Sequence, residues 1–226
     1  MANTVLIVDD HPLFRRGVAQ LLEMDPEIVV AGEASGLADA LDLARRTDPD
    51  LILLDLNLSG ANGRSGGLEV LTALKDEDAS LRVVMLTVSD APDDLVNALR
   101  RGADGYLLKD SEPEEILARV RDALSGRTVL TETLAGRLAM AMRQDALQTA
   151  ANPRDMRRNL ADLTERERAV LRGVADGLSN KLIAQTLSIT EGTVKVHVKH
   201  VLKKLGFRSR VEAAVWATEI GLRNAA

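Results

Sequence analysis

The sequence predicts two units of different class: an α/β unit built on a five-stranded, doubly wound parallel sheet, then an all-α unit of four helices. Three observations carry this. Short continuous apolar runs alternate with amphipathic stretches through about residue 126, the rhythm of β-α units whose strands are covered on both faces. From Leu160 onward the apolar period is helical throughout. Charge divides at the same place: residues 160–226 hold 11 Lys+Arg and 7 Asp+Glu, whereas the residues before them carry the acidic excess behind the net charge of −5.

The elements follow in order. "TVLIVDD" (4–10) is an apolar run ending in acids, and residues 11–24 carry a helical stripe of Phe14, Val18, Leu21 and Leu22. "EIVVAGEA" (27–34) reads as a strand, "LADALDLARRT" (37–47) as a helix and "DLILLDL" (50–56) as a strand. Residues 68–77 are helical, 81–89 a strand, 92–102 a helix and 104–110 a strand. The fifth helix, 113–126, has Pro113 near its start and Gly126 beyond its end, the usual asymmetry of helix termini. Residues 1–126 are therefore one domain, residues 127–159 a linker with a short helix over 131–144, and residues 160–226 a second domain. There Thr164 and Glu167 have capping-box spacing, and Ser179 suits the N-cap of a helix reaching Leu187. After the turn "SIT" a third helix follows, with a fourth over 209–221. Two helices joined by so short a turn suggest helix-turn-helix.

Composition excludes several classes. There is no cysteine, so disulfides and thiolate metal sites are absent. No apolar run reaches the roughly 20 residues of a membrane span, and no signal peptide is expected, which together suggest a cytoplasmic protein. Aromatics are 2% of residues, so the cores must be built from Leu, Val, Ile and Ala.

Active groups in parallel α/β sheets lie at the carboxyl ends of the strands. Asp9, Asp10, Asp55, Thr87 and Lys109 all fall there. Clustered carboxylates repel one another unless a cation sits among them, and oxygen-only ligands suit Mg²⁺. Asp55 then qualifies as a carboxylate nucleophile toward phosphorus. Gly60, Gly63, Gly66 and Gly67 follow it, but no Lys-Ser/Thr pair succeeds them, so the loop is no Walker-type cradle and reads as a turn into the next helix.

In the basic half, Val194, Val198, Val201, Leu202 and Leu205 form the buried stripe of the third helix. Lys195, Val196 and Lys199 lie off that stripe and suit base edges in a major groove. Lys181, Thr193, Lys203, Lys204, Arg208 and Arg210 suit phosphates. His197 and His200 are three residues apart with no further ligand nearby, so surface or phosphate roles fit them better than metal. Gly192 is unfavourable in a helix, and close approach to DNA would account for it.

"LIVDDHP", "DLILLDLN", "VVMLTVS" and "GADGYLLKD" together resemble the receiver domain of two-component response regulators, over about residues 4–125. Residues 160–224 resemble the LuxR-type helix-turn-helix module, and the combination resembles the NarL/FixJ class, in particular its nitrate/nitrite regulators. The resemblance implies a flavodoxin-like receiver in which Asp55 accepts a phosphoryl group from a membrane sensor histidine kinase. It implies Mg²⁺ held by Asp9, Asp10, Asp55 and the backbone carbonyl of Asn57, with Thr87 and Lys109 on the phosphoryl oxygens and Tyr106 as an aromatic switch. In the second domain it implies DNA reading by Lys195, Val196 and Lys199, and a homodimer through Val211, Ala214 and Val215 when phosphorylated or DNA-bound. RNA polymerase is a further implied partner. Two departures stand out. Ser59 replaces a proline, followed by about four extra residues near Arg64–Gly67, and Asp110 replaces the proline that often follows the lysine, so a trans bond is expected there.

The reading is a non-enzymatic, phosphorylation-switched transcription regulator whose unphosphorylated receiver covers the recognition helix. An acidic-pocket phosphohydrolase is the competing class, but it wants a second carboxylate two residues after the nucleophile, where Asn57 stands. A phosphorylation-independent DNA binder is the third reading, and the complete five-residue crevice argues against it.

Overall fold

A computed structural model describes residues 2–59, 66–89, 91–127, 129 and 159–222. The helix expected over 131–144 lies outside the described residues, as do loop residues 60–65. Five strands, β1 (Asn3–Val8), β2 (Ile28–Ala34), β3 (Leu51–Leu54), β4 (Val83–Thr87) and β5 (Gly105–Leu108), form one parallel sheet in the order β2-β1-β3-β4-β5. Five helices connect and cover them: α1 (Pro12–Glu23), α2 (Leu37–Thr47), α3 (Gly66–Glu77), α4 (Pro92–Arg100) and α5 (Pro113–Leu124).

The strands are apolar on both faces because both are covered. Leu6, Val8, Ile52 and Leu54 share a buried layer with residues of α2, α3 and α4, while Val5, Ile7, Leu51 and Leu53 point the other way into a layer with α1 and α5. Strand order reverses between β1 and β3, and a crevice opens at such a switch point, beyond the strands' carboxyl ends. Val129 adds a single parallel bridge to Gly105 on the β5 edge.

The second domain begins with a 3₁₀ turn (Leu160–Asp162) and continues as α6 (Glu165–Ala175), α7 (Asn180–Leu187), α8 (Glu191–Leu205) and α9 (Arg210–Glu219). Its helix starts are specified by side chains. Thr164 and Glu167 form the full capping box, and Ser179, Thr190 and Ser209 each accept from the third amide beyond. Gly206 ends α8 at φ 69°, a left-handed position that suits glycine. The expected stripe, Val194 to Leu205, is buried chiefly against α6 and α7.

The helical domain docks on the receiver end opposite the crevice, where strands begin. Two left-handed glycines receive it. A Cβ on Gly102 (φ 102°) would lie 2.7 Å from the Arg208 carbonyl oxygen, and one on Gly126 (φ 98°) 2.7 Å from that of Gly177. Arg210, expected on DNA phosphates, is instead buried here and corrects that expectation: its guanidinium donates to Asn180 Oδ1 and to the Leu178 carbonyl. Burial, together with the neighbouring Arg82, pushes its pKa well below the ordinary arginine value.

Candidate functional site

The switch point brings Asp9 and Asp10, just past β1, against Asp55, just past β3. The strand ladder carries on into these residues: Asp55 N–H donates to the Val8 carbonyl and Asp9 N–H to that of Ala34. Asp9 and Asp55 are almost fully buried, and Asp10 is half-buried. With His11, the three form the group among the described residues whose ligand atoms lie within 4.8 Å of one another.

Each carboxylate has one oxygen anchored by local donors, and the other Asp10 oxygen lies 3.0 Å from His11 Nδ1. Asp9 Oδ1 accepts from His11 N–H at 2.7 Å, and Asp55 Oδ1 from Asn57 N–H at 3.0 Å. Asp10 Oδ2 accepts from both the amide (3.0 Å) and the hydroxyl (2.5 Å) of Ser59. On the pocket side, Lys109 Nζ lies 2.7 Å from Asp9 Oδ2 and 2.8 Å from Asp55 Oδ2, and 4.5 Å from the centre of the Phe14 ring. Among the described residues Asp55 Oδ2 has no well-directed hydrogen bond, and the Lys109 ammonium faces it. Burial raises the Asp10 pKa, but Ser59's two donors and His11 outweigh it and hold the carboxyl below its usual value.

Thr87 is buried at the end of β4. Its hydroxyl accepts from Asn57 Nδ2 at 3.2 Å and from Ser89 N–H at 3.1 Å. Tyr106 is wholly buried, and its hydroxyl donates to the Ser89 carbonyl at 3.0 Å. Ser89 thus joins the Thr87 hydroxyl to the Tyr106 ring through its own backbone. Sequence reasoning did not single out Ser89, and Phe14 appeared only as part of an apolar stripe. Ser59 was noted as a missing proline; the structure shows that its N–H, which proline lacks, serves Asp10. The Lys109–Asp110 bond is trans, as is every peptide bond among the described residues.

The glycines after Asp55 have two fates. Gly60 and Gly63 lie outside the described residues. Gly66 and Gly67 open α3, and their amides donate to the carbonyls of Leu58 and Leu56 at 3.1 Å. A Cβ on Gly67 would lie 2.1 Å from the Asp55 carbonyl oxygen, so this glycine is a close backbone approach rather than a loose turn.

At the far end, the candidate DNA-reading face meets the receiver. Lys195 Nζ lies 3.1 Å from Asp48 Oδ2 and 3.3 Å from Asp50 Oδ1, and Lys199 Nζ lies 2.7 Å from Asp78 Oδ2. Val196, between them, stays half-exposed at 51%. Lys204 pairs within its own domain with the buried Glu167 at 2.7 Å. Thr193 shares a hydroxyl contact with Thr190 at the start of α8. Lys203 and Arg208 line a cleft with Arg100 and Arg101, and Lys181 lines another with Asn3 and Asp50. Val211, Ala214 and Val215 line one groove with Gly126 and Arg127, so the expected dimer face borders the receiver. A Cβ on Gly192 would meet only the Thr190 hydroxyl among the described residues, at 3.9 Å, an ordinary contact, so packing there does not require glycine. No helix among the described residues is long and apolar enough to cross a membrane.

Comparison with known proteins agrees with this geometry. Residues 5–121 match the response regulator receiver domain family, and residues 161–217 match the luxR family of bacterial regulatory proteins. The nitrate/nitrite response regulator protein NarL of Escherichia coli K12 is 51% identical over 94% of both chains. NarP of the same organism is 47% identical over 93% of this chain and 92% of its own. A LuxR-family two-component response regulator from Aurantimonas is 30% identical with a TM-score of 0.58, covering 63% of this chain and 99% of that one.

Proposed function

The chain belongs to the two-component response regulators that join a receiver domain to a LuxR-family DNA-binding domain, and from that premise we propose the roles of its residues and its signal. It is a DNA-binding transcription regulator, not an enzyme, and Asp55 is its phosphoacceptor. An Asp55 oxygen bonds to phosphorus as the bond from phosphorus to a kinase histidine nitrogen breaks, and the imidazole keeps that electron pair. The observation that carries this is Lys109, 2.8 Å from the one Asp55 oxygen that lacks a directed hydrogen bond. An ammonium there neutralises charge as the acyl phosphate forms.

The donor set fits Mg²⁺: hard carboxylate oxygens from Asp9, Asp10 and Asp55, supplemented by the Asn57 carbonyl. When bound, the ion offsets repulsion between the carboxylates and the incoming phosphoryl group. Lys109 and the Thr87 hydroxyl serve the phosphoryl oxygens. Thr87 gives up its present partners to do so, and the Ser89 link carries that shift to Tyr106. In the unphosphorylated chain the receiver holds Lys195 and Lys199, so the recognition helix is withheld from DNA. Phosphorylation shifts the population toward an open form that dimerises along α9. The response to nitrate or nitrite rests on the 51% identity with the E. coli regulator. A membrane sensor kinase and RNA polymerase are the remaining partners in this reading, and the cytoplasm is its site.

Intact mass after incubation with a small phosphodonor and Mg²⁺ tests the chemistry. One added phosphoryl group on the wild type and none on Asp55→Asn is expected. Continuous phosphodonor turnover without accumulation indicates a phosphohydrolase instead. DNA affinity of the full chain before and after phosphorylation tests the closed state; equal affinities would rule it out.

A further inference from the structure

The contact between receiver and recognition helix is made through ion pairs. Its carboxylates are prearranged acceptors. Asp50 Oδ2 is fixed by the Thr4 amide (2.9 Å) and hydroxyl (3.0 Å), leaving Oδ1 for Lys195. Asp78 Oδ1 is fixed by the Ser80 amide (2.9 Å) and hydroxyl (2.6 Å), leaving Oδ2 for Lys199. Asp48 adds both a carboxylate and a carbonyl oxygen to Lys195, each at 3.1 Å. Val196, the apolar position of the same face, is left 51% exposed. The receiver therefore grips Lys195 and Lys199 by charge and leaves Val196 between them half-exposed.

We infer that the edge formed by Asp48, Asp50 and Asp78 is a surrogate for the DNA surface, so that DNA binding by the closed chain is an ion-pair exchange in which the duplex takes Lys195 and Lys199 from these carboxylates. The inference rests on the closed, inhibited state proposed above and adds its currency. Burial pulls the Lys195 ammonium pKa down, yet Asp50 and Asp48 outweigh it and raise the value above the ordinary one. Lys195 thus enters the exchange as an ammonium.

Exchange has a consequence that simple occlusion lacks. A free lysine that neutralises DNA releases counterions, and log K falls by about 0.9 per log unit of salt for each phosphate neutralised. In the closed chain, salt also screens the pairs that hold the lysines. Opening becomes easier as DNA binding weakens, and the two trends partly cancel. The unphosphorylated chain should therefore show a shallower salt dependence than a chain without the acidic edge, by about one to two units of slope for two lysines.

The test uses full-length unphosphorylated protein and a random-sequence duplex short enough for one recognition helix, between about 50 and 200 mM KCl. Asp48→Asn/Asp50→Asn/Asp78→Asn is compared with wild type. Asp93→Asn/Asp110→Asn/Glu114→Gln supplies the same charge change at exposed positions far from the edge. The edge variant should bind more tightly at low salt with a slope steeper by about one to two, converging on wild type as salt rises, while the control keeps the wild-type slope. Asp78→Asn alone, which retains an acceptor for Ser80, should give about half the change, since it frees one of two lysines. Tighter binding with parallel slopes overturns the exchange and leaves steric occlusion standing. A control that steepens as much as the edge variant also overturns it, because net charge then explains the slope. No gain from either the edge variant or phosphorylation removes the closed state itself.

Discussion

The ammonium of Lys109 sits between two buried carboxylates, 2.7 Å from Asp9 and 2.8 Å from Asp55, and is their nearest positive charge. Removing one partner of a buried ionic cluster leaves charge uncompensated, at about 3–5 kcal/mol. Lys109→Ala should lower receiver stability by that order. Mg²⁺ should raise the melting temperature of this variant more than that of wild type, because the ion then supplies the missing charge. Equal Mg²⁺ gains in thermal unfolding would contradict the placement of the metal among Asp9, Asp10 and Asp55.

Ser59 draws on Asp10 with two donors, a hydroxyl and an amide. A carboxylate that already accepts charge-assisted bonds is a weaker ligand. Ser59→Ala removes the hydroxyl and keeps the amide, so it should tighten Mg²⁺ binding a few-fold. A Mg²⁺ titration followed by thermal shift reads this, and unchanged or weaker binding would refute it.

Gly67 lies where a Cβ would meet the Asp55 carbonyl oxygen at 2.1 Å. Backbone cannot move aside as a side-chain tip can, so Gly67→Ala should destabilise the receiver by about 1–3 kcal/mol, the order of a strained or overpacked site. It should also slow phosphorylation by displacing Asp55. Deleting Arg64–Gly67 would take two residues of α3 with it. Wild-type stability and phosphorylation rate in the Gly67→Ala chain would show that α3 does not seat as described.

Gly102 takes a positive φ and meets the Arg208 backbone across the domain boundary. Gly102→Ala adds strain of about 1–3 kcal/mol and a Cβ that the docked domain must clear. Small-angle scattering of the unphosphorylated variant should report a larger radius of gyration. An unchanged radius would mean that the local turn absorbs the Cβ without undocking.

The docked state should tolerate pH near neutrality. Burial raises the Asp78 pKa, but Lys199 and the Ser80 donors outweigh it and leave the carboxyl below its ordinary value. Only the Lys199 share of that lowering belongs to docking, because the Ser80 donors stay with Asp78 in the separated receiver. That share is present above the undocked carboxyl value, itself below the ordinary value of about 3.9, and is lost as pH falls through the docked one. The raised Lys195 pKa contributes below about 10.4 and is lost as pH rises through the docked value. Domain separation by fluorescence transfer should stay flat from about pH 5 to 9 and grow only beyond those limits. A midpoint near pH 6–7 would point to a histidine in place of these pairs.

The five strands and both helical sets were legible because each element carries its own period and its own punctuation. Apolar runs of strand length, Pro113, the Thr164–Glu167 box and the 194–205 stripe depend on neighbours in the chain, and local chemistry reports them. The crevice was legible for a related reason: parallel β-α topology places every strand's carboxyl end on one side, so Asp9, Asp55 and Lys109 converge once the strands are assigned. Roles set by distant backbone were not. Gly67 looked like a turn residue, Arg210 like a phosphate contact, and Ser59 like a lost proline. Ser89 carried no signal, because it acts through its amide and carbonyl, which every residue possesses.

The sequence by itself determined two units of different class, an acidic pocket with one candidate phosphoacceptor and a basic helix suited to DNA, since these follow from residue type and spacing. The tertiary structure decided which charges meet. Asp48, Asp50 and Asp78 lie about 120 to 150 positions away in the chain from Lys195 and Lys199, and no periodicity links residues so far apart. Only docking on the glycine-lined base of the sheet turns ordinary surface aspartates into partners of Lys195 and Lys199 on α8.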